Sequence, residues 1–103
     1  MNKDLQIAKR TVQAEIQALK KLSLSFNRSS HFSNAVNLLS KMKGKCLVVG
    51  VGKSYLVSLK VSATLSSLGT PSVAFSANDL QHGGLGAVQK NNDALLIFSV
   101  SGE

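Results

Sequence analysis

Tryptophan is missing from this 103-residue chain, tyrosine, proline and cysteine occur once each, and aromatic residues make up only 5%. With so few rings, Val, Leu, Ile and Ala must carry the core, a usage suited to parallel sheets whose strands are buried on both faces. The single cysteine, Cys46, excludes an internal disulfide, and its apolar surroundings suggest a buried structural thiol. No run approaches the roughly 18 apolar residues of a membrane span. The N-terminal Met-Asn-Lys-Asp-Leu lacks the apolar core of a signal peptide, so a soluble, cytoplasmic protein is expected. Its two histidines, His31 and His82, lie far apart, and no second His or Cys stands at a metal-ligand spacing from either. Neither a metal nor a cofactor is expected. What remains is one small domain, 44% apolar, with no room for a second.

Acidic residues are scarce: five Asp/Glu face twelve Lys/Arg, for a net charge of +7. The imbalance is uneven. Residues 1–60 hold eleven bases against Asp4 and Glu15, a net +9, while residues 61–103 hold Lys90 against Asp79, Asp93 and Glu103, a net −2. A basic half can mark a nucleic-acid binder. Here the lysines are scattered along helix faces, without aromatic interleaving or a compact run, so neither nucleic acid nor a membrane is the expected partner. A phosphorylated metabolite explains the excess equally well.

Hydrophobic periodicity predicts an amphipathic helix over 3–24, with Leu5, Ala8, Val12, Ile16, Leu19 and Leu22 forming a packing stripe. Asn27 to Ser30 interrupts it with capping side chains, and a second helix is expected over about 31–42, ended by Gly44. Residues 45–51 (KCLVVGV) read as a buried strand. A helix over about 54–68 follows, with Leu56, Leu59, Ala63 and Leu68 facing inward and Gly69 as its stop. Residues 72–75 form a second strand, Asn78 or Asp79 could cap a short helix leading to His82, and residues 93–100 form a third strand. Strands alternating with helices imply an α/β fold with a parallel sheet. The chain divides into a helical segment, 1–44, and an α/β core, 45–103.

Parallel sheets bind ligands beyond the carboxyl ends of their strands, and two of those ends carry Gly/Ser clusters here. Gly50-Val-Gly-Lys-Ser54 is not a P-loop, because Leu47 stands where that motif needs glycine. Nor is it a dinucleotide fingerprint, because Tyr55 stands at the third glycine. A glycine turn opening a helix whose N–H groups can meet an anion remains, beside a mobile Lys53 charge. A plain turn with a solvated lysine fits the same residues. Ser99-Val-Ser-Gly-Glu103 would send Ser99 and Ser101 to one side, where both could donate to phosphate oxygens. His82, in Gln81-His-Gly-Gly-Leu-Gly86, is either structural or a proton shuttle.

Together, GKCLVVGVGKS, SLGTPSVAF, HGGLG and SVSGE resemble, at matching spacing over the whole chain, the arabinose-5-phosphate isomerase branch of sugar isomerase (SIS) domains. That family typically reads GxGKSG, GTPS, HGDLG and SNSGES. The resemblance implies a three-layer SIS-type fold, a parallel sheet flanked by helices, truncated here after the third strand. It implies interconversion of D-ribulose 5-phosphate and D-arabinose 5-phosphate on the way to lipopolysaccharide, and a homo-oligomer in the full-length family. Carried over residue by residue, it makes Lys53 and His82 catalytic. It makes Gly52, Ser54, Gly69, Thr70, His82, Ser99, Ser101, Gly102 and Glu103 substrate-binding. Tyr55, Gly84 and Val100 depart from the family pattern, and Ser76 replaces a histidine that can bind metal in some members. The family's later catalytic Glu and His fall beyond Glu103. A non-catalytic sugar-phosphate-binding module and an assembly partner of a full-length homologue are therefore the competing expectations.

Overall fold

The computed structural model describes residues 2–100. It contains two compact units, Met1–Val36 and Asn37–Glu103, and the boundary falls inside the second helix.

In the first unit, α1 (Lys3–Ser25) starts where the Asn2 side chain accepts a hydrogen bond from the Asp4 N–H at 2.7 Å. That contact satisfies one of the donors every helix start leaves open, and Asp4 complements the positive end of the helix dipole. The stripe expected to pack is exposed instead: Ile16 retains 36% of its accessible surface and Leu19 64%, because nothing within this unit lies over it. After a turn in which Ser29 Oγ accepts from the His31 N–H at 3.4 Å, α2 (His31–Lys41) begins. The Phe26 and Phe32 rings, 4.9 Å apart and tilted by 46°, brace the turn.

The second unit is built on a parallel sheet ordered β2–β1–β3: β1 (Cys46–Gly50) in the middle, β2 (Ser72–Ser76) and β3 (Ala94–Ile97) on its flanks. Cys46 pairs with Ser72 and Ala94, and Gly50 with Ser76, so all three strands end together. Every residue of β1 is buried, with Cys46, Leu47 and Val48 fully so. This accounts for its unbroken apolar run. The three apolar runs thus mark the three strands, and β3 stops at Ile97, although Phe98 still donates to the Val49 carbonyl at 2.9 Å.

The helix α3 (Lys53–Ser67) lies against β1 and β2. It does so with the face opposite to the one its leucines predict. Leu56, Leu59 and Leu68 are 63%, 44% and 78% exposed and Ala63 is exposed as well, whereas Ser58 and Ser62 are buried. Ser54, Ser58, Val61, Ser62 and Leu65 form the inner stripe. Small side chains let the helix backbone lie close to the sheet, and Ser58 Oγ satisfies itself on the Ser54 carbonyl at 2.8 Å, so its burial strands no donor.

The short α4 (Ala77–Gln81) follows β2 directly, and a 3-10 turn spans Gly84–Ala87. The α4 cap is Ser76 rather than Asn78 or Asp79, both of which sit within the helix. Gly44 does not end α2 either; its N–H donates to the Asn92 carbonyl at 2.7 Å, close against the start of β3. There an ion pair ties β3 to β1. Asp93, whose side chain is 1% exposed, accepts from the backbone of Lys45 (2.9 Å) and Gln89 (2.7 Å) and from Lys45 Nζ (2.9 Å). Lys45 Nζ also donates to the Ala87 carbonyl at 2.7 Å. The two backbone donors, then the lysine, lower the Asp93 pKa to about 2.

Candidate functional site

The cleft at the carboxyl ends of the strands, about 350 Å³, is lined by Val49, Gly50, Val51, Ser54, Ala77, Ile97, Phe98, Ser99 and Val100. Its position follows from the register. With β1, β2 and β3 ending level, the chain leaving each strand must turn outward, and the three departures enclose a hollow. Gly50 is essential to its shape. A Cβ there would stand 2.5 Å from the carbonyl carbon and oxygen of Ser54, so only glycine lets the first turn of α3 fold over the end of β1.

That first turn offers less to an anion than the sequence suggests. Ser54 N–H is taken by the Val51 carbonyl at 3.1 Å and Tyr55 N–H by the Gly52 carbonyl at 3.0 Å. The backbone at Gly52 has φ of 60° and carries no capping side chain, which leaves the helix start open at Gly52 and Lys53. Lys53 is exposed at this point and makes no ion pair among the described residues. No ionisable side chain lines the cleft among the described residues, so its polar character comes from the Ser54 and Ser99 side chains and from backbone.

The structure brings only some of the expected site residues together. Ser54 and Ser99 line the cleft, with Gly52 and Lys53 immediately beside it on the turn. His82 is exposed at the end of α4, whose start, Ala77, lines the cleft, but His82 itself does not. Gly69 and Thr70 lie at the opposite, amino end of the sheet, before Pro71, whose carbonyl accepts from Cys46 N–H at 2.9 Å. One strand length, about 13 Å, separates the two ends. There they serve another purpose. Gly69 adopts φ of 95°, its N–H bonds the Ser66 carbonyl at 3.1 Å, and Thr70 N–H bonds the Leu65 carbonyl at 2.9 Å. This paired closure is the Schellman ending of a helix. Ser101, Gly102 and Glu103 lie outside the described residues. The apolar wall of Val49, Ala77, Phe98 and Val100 was not expected from the sequence; its only signal was position at strand ends.

No protein-family model matches the chain. Among curated proteins, arabinose 5-phosphate isomerase KdsD of Pseudomonas aeruginosa is 40% identical over 95 residues, covering 92% of this chain and 28% of that protein. Arabinose 5-phosphate isomerase KpsF of Escherichia coli O6:H1 is 37% identical over 95 residues, with the same two coverages. The chain is homologous to part of the arabinose 5-phosphate isomerases. It spans less than a third of the length of these relatives. A solved Escherichia coli CFT073 protein, in complex with arabinose 5-phosphate, matches 96% of the chain and 52% of its own with a TM-score of 0.81 and 32% identity. A Bacteroides fragilis crystal structure matches 86% with a TM-score of 0.63 and 29% identity. The SIS-type parallel α/β fold expected from the four motifs is thus the fold observed. No helix among the described residues is long and apolar enough to cross a membrane.

Proposed function

We propose that this chain contributes a phosphorylated-pentose-binding face to a D-arabinose 5-phosphate/D-ribulose 5-phosphate isomerase. The observation that carries the reading is the cleft where β1 and β3 end, bearing Ser54 and Ser99 beside Lys53, in a chain whose fold matches a protein solved with arabinose 5-phosphate. The serine side chains would hold the phosphate or sugar hydroxyls, and Lys53 would neutralise charge. In the aldose–ketose reaction a base removes a proton from C2 of the aldose and returns one to C1, through an enediolate whose oxygen needs cationic or hydrogen-bond stabilisation. Lys53 suits that stabilisation, and His82, at the end of α4 away from the cleft lining, suits proton shuttling. Gly69 and Thr70, at the other end of the sheet, are left out of this reading.

Because no carboxylate or imidazole lines the cleft among the described residues, a sugar-phosphate-binding module without turnover is the second reading. Titrating arabinose 5-phosphate into the labelled chain tests the first premise: amide shifts should concentrate at Gly50–Ser54 and Phe98–Val100. Shifts confined to α1 would remove the site. A coupled isomerase assay then separates the two readings, turnover favouring the enzyme and saturable binding without turnover favouring the module.

A further inference from the structure

We infer that the cleft favours a pentose 5-phosphate without a hydroxyl at C2, and that Val100 sets this preference. The preference rests on the reading just given, a sugar phosphate held where β1 and β3 end, and adds which sugar fits best. Such a ligand occupies the site without reacting. Isomerisation takes a proton from C2 and turns the C2 oxygen into the carbonyl of the ketose, and a deoxygenated C2 has no oxygen to turn.

The two sides of the cleft differ in chemistry. On the α3 side stand the Ser54 side chain, the open helix start at Gly52 and the exposed Lys53. On the β3 side Ile97 and Val100 line the cleft while 63% and 99% exposed, and Ser99 is the one polar side chain in that lining among the described residues. An aliphatic side chain left in water stabilises nothing until something covers it. The phosphate belongs on the first side, because a dianion set on Ile97 and Val100 would lose water and gain no donor. Its oxygens can accept from Ser54, from Ser99 and from the open helix start. With the C5 phosphate fixed there, C1 and C2 form the far end of the sugar and reach toward β3. That strand lies one spacing, about 4.8 Å, from β1, and the Phe98 N–H, donating to the Val49 carbonyl at 2.9 Å, keeps its exit at that spacing. A C2 hydroxyl laid on Ile97 and Val100 gives up water and meets neither donor nor acceptor. A CH2 in the same place is covered at a gain.

The test titrates two ligands that differ by a single oxygen: arabinose 5-phosphate and 2-deoxyribose 5-phosphate, the same sugar without its 2-hydroxyl. Followed by amide shifts of the labelled full chain, the deoxy ligand should bind about tenfold more tightly, the lower end of what an unmet hydroxyl costs. Val100→Asn places an amide, both donor and acceptor, where the SNSGES pattern has asparagine. At so exposed a position it should leave the fold alone. In this variant arabinose 5-phosphate should tighten until the two ligands bind alike. Equal affinities in the unchanged chain would overturn the preference while leaving the sugar-phosphate site in place. A preference that survives Val100→Asn takes the role away from Val100. Inorganic phosphate, titrated alongside, tests the anion end by itself. If neither it nor either sugar phosphate shifts Gly52–Ser54, the sugar-phosphate reading fails first and the preference falls with it.

Discussion

The face that α3 turns to the sheet can be tested by exchanging sizes across the helix. Ser58 has no accessible surface where α3 crosses β1 and β2, while Leu59, one residue on, is 44% exposed. Ser58→Leu adds two heavy atoms to a side chain with nowhere to go. Overpacking of this kind costs about 1–3 kcal/mol. Taking about 2 kcal/mol, a domain of this size should melt about 8–16 °C lower. Ser58→Ala removes only a hydroxyl bonded to its own helix at the Ser54 carbonyl, and Leu59→Ser removes a partly solvated side chain. Both should stay within about 0.5 kcal/mol of the parent. Thermal melting by circular dichroism, with guanidinium unfolding as a second probe, ranks the three. A Leu59→Ser variant that unfolds easily while Ser58→Leu melts normally would refute the serine-inward arrangement. Because α3 also carries Lys53 and Ser54, with Gly52 as its cap, lifting its middle should blur the arabinose 5-phosphate response in Ser58→Leu and leave it intact in Leu59→Ser.

Gly69→Ala should destabilise the chain by about 1–2 kcal/mol, the cost of a left-handed backbone for a residue with a Cβ. It should leave the ligand-induced shifts unchanged; loss of binding in a folded variant would return Gly69 to the site. Lys53→Ala should weaken arabinose 5-phosphate binding about tenfold to a hundredfold, the worth of a charge-assisted contact, read by the same titration. An unchanged affinity makes Lys53 a bystander. Asp93 binds its proton less readily folded than unfolded, so its contribution is present above the unfolded carboxylate pKa, about 4. That contribution should fade as the pH falls toward its folded value of about 2. Asp93→Asn should flatten that acid limb of the stability curve measured by denaturant unfolding, and an unaltered limb would assign the acid loss elsewhere.

Local patterns made most of the secondary structure legible. A short, unbroken apolar run reads as a strand buried on both faces, hence β1; alternation with helical segments favours parallel pairing, hence the sheet. The Gly/Ser clusters at Gly50–Ser54 and Ser99 were legible as strand ends, where parallel sheets open. Other features depended on what each residue meets in space. Leucines and serines mark two rival stripes on α3, and only the closeness of the sheet selects the serines. Gly69 and Thr70 share a motif with the second strand but stand at its amino end, a whole strand length from the cleft, which linear spacing cannot express. Asp93 and Lys45 are 48 residues apart and look like ordinary surface charges until the parallel register sets β3 beside β1. The sequence alone determined which segments are strands and helices, because that depends on each residue and its near neighbours. Only the tertiary structure decided which faces meet and which ends coincide, because those are settled by fit between segments distant in the chain.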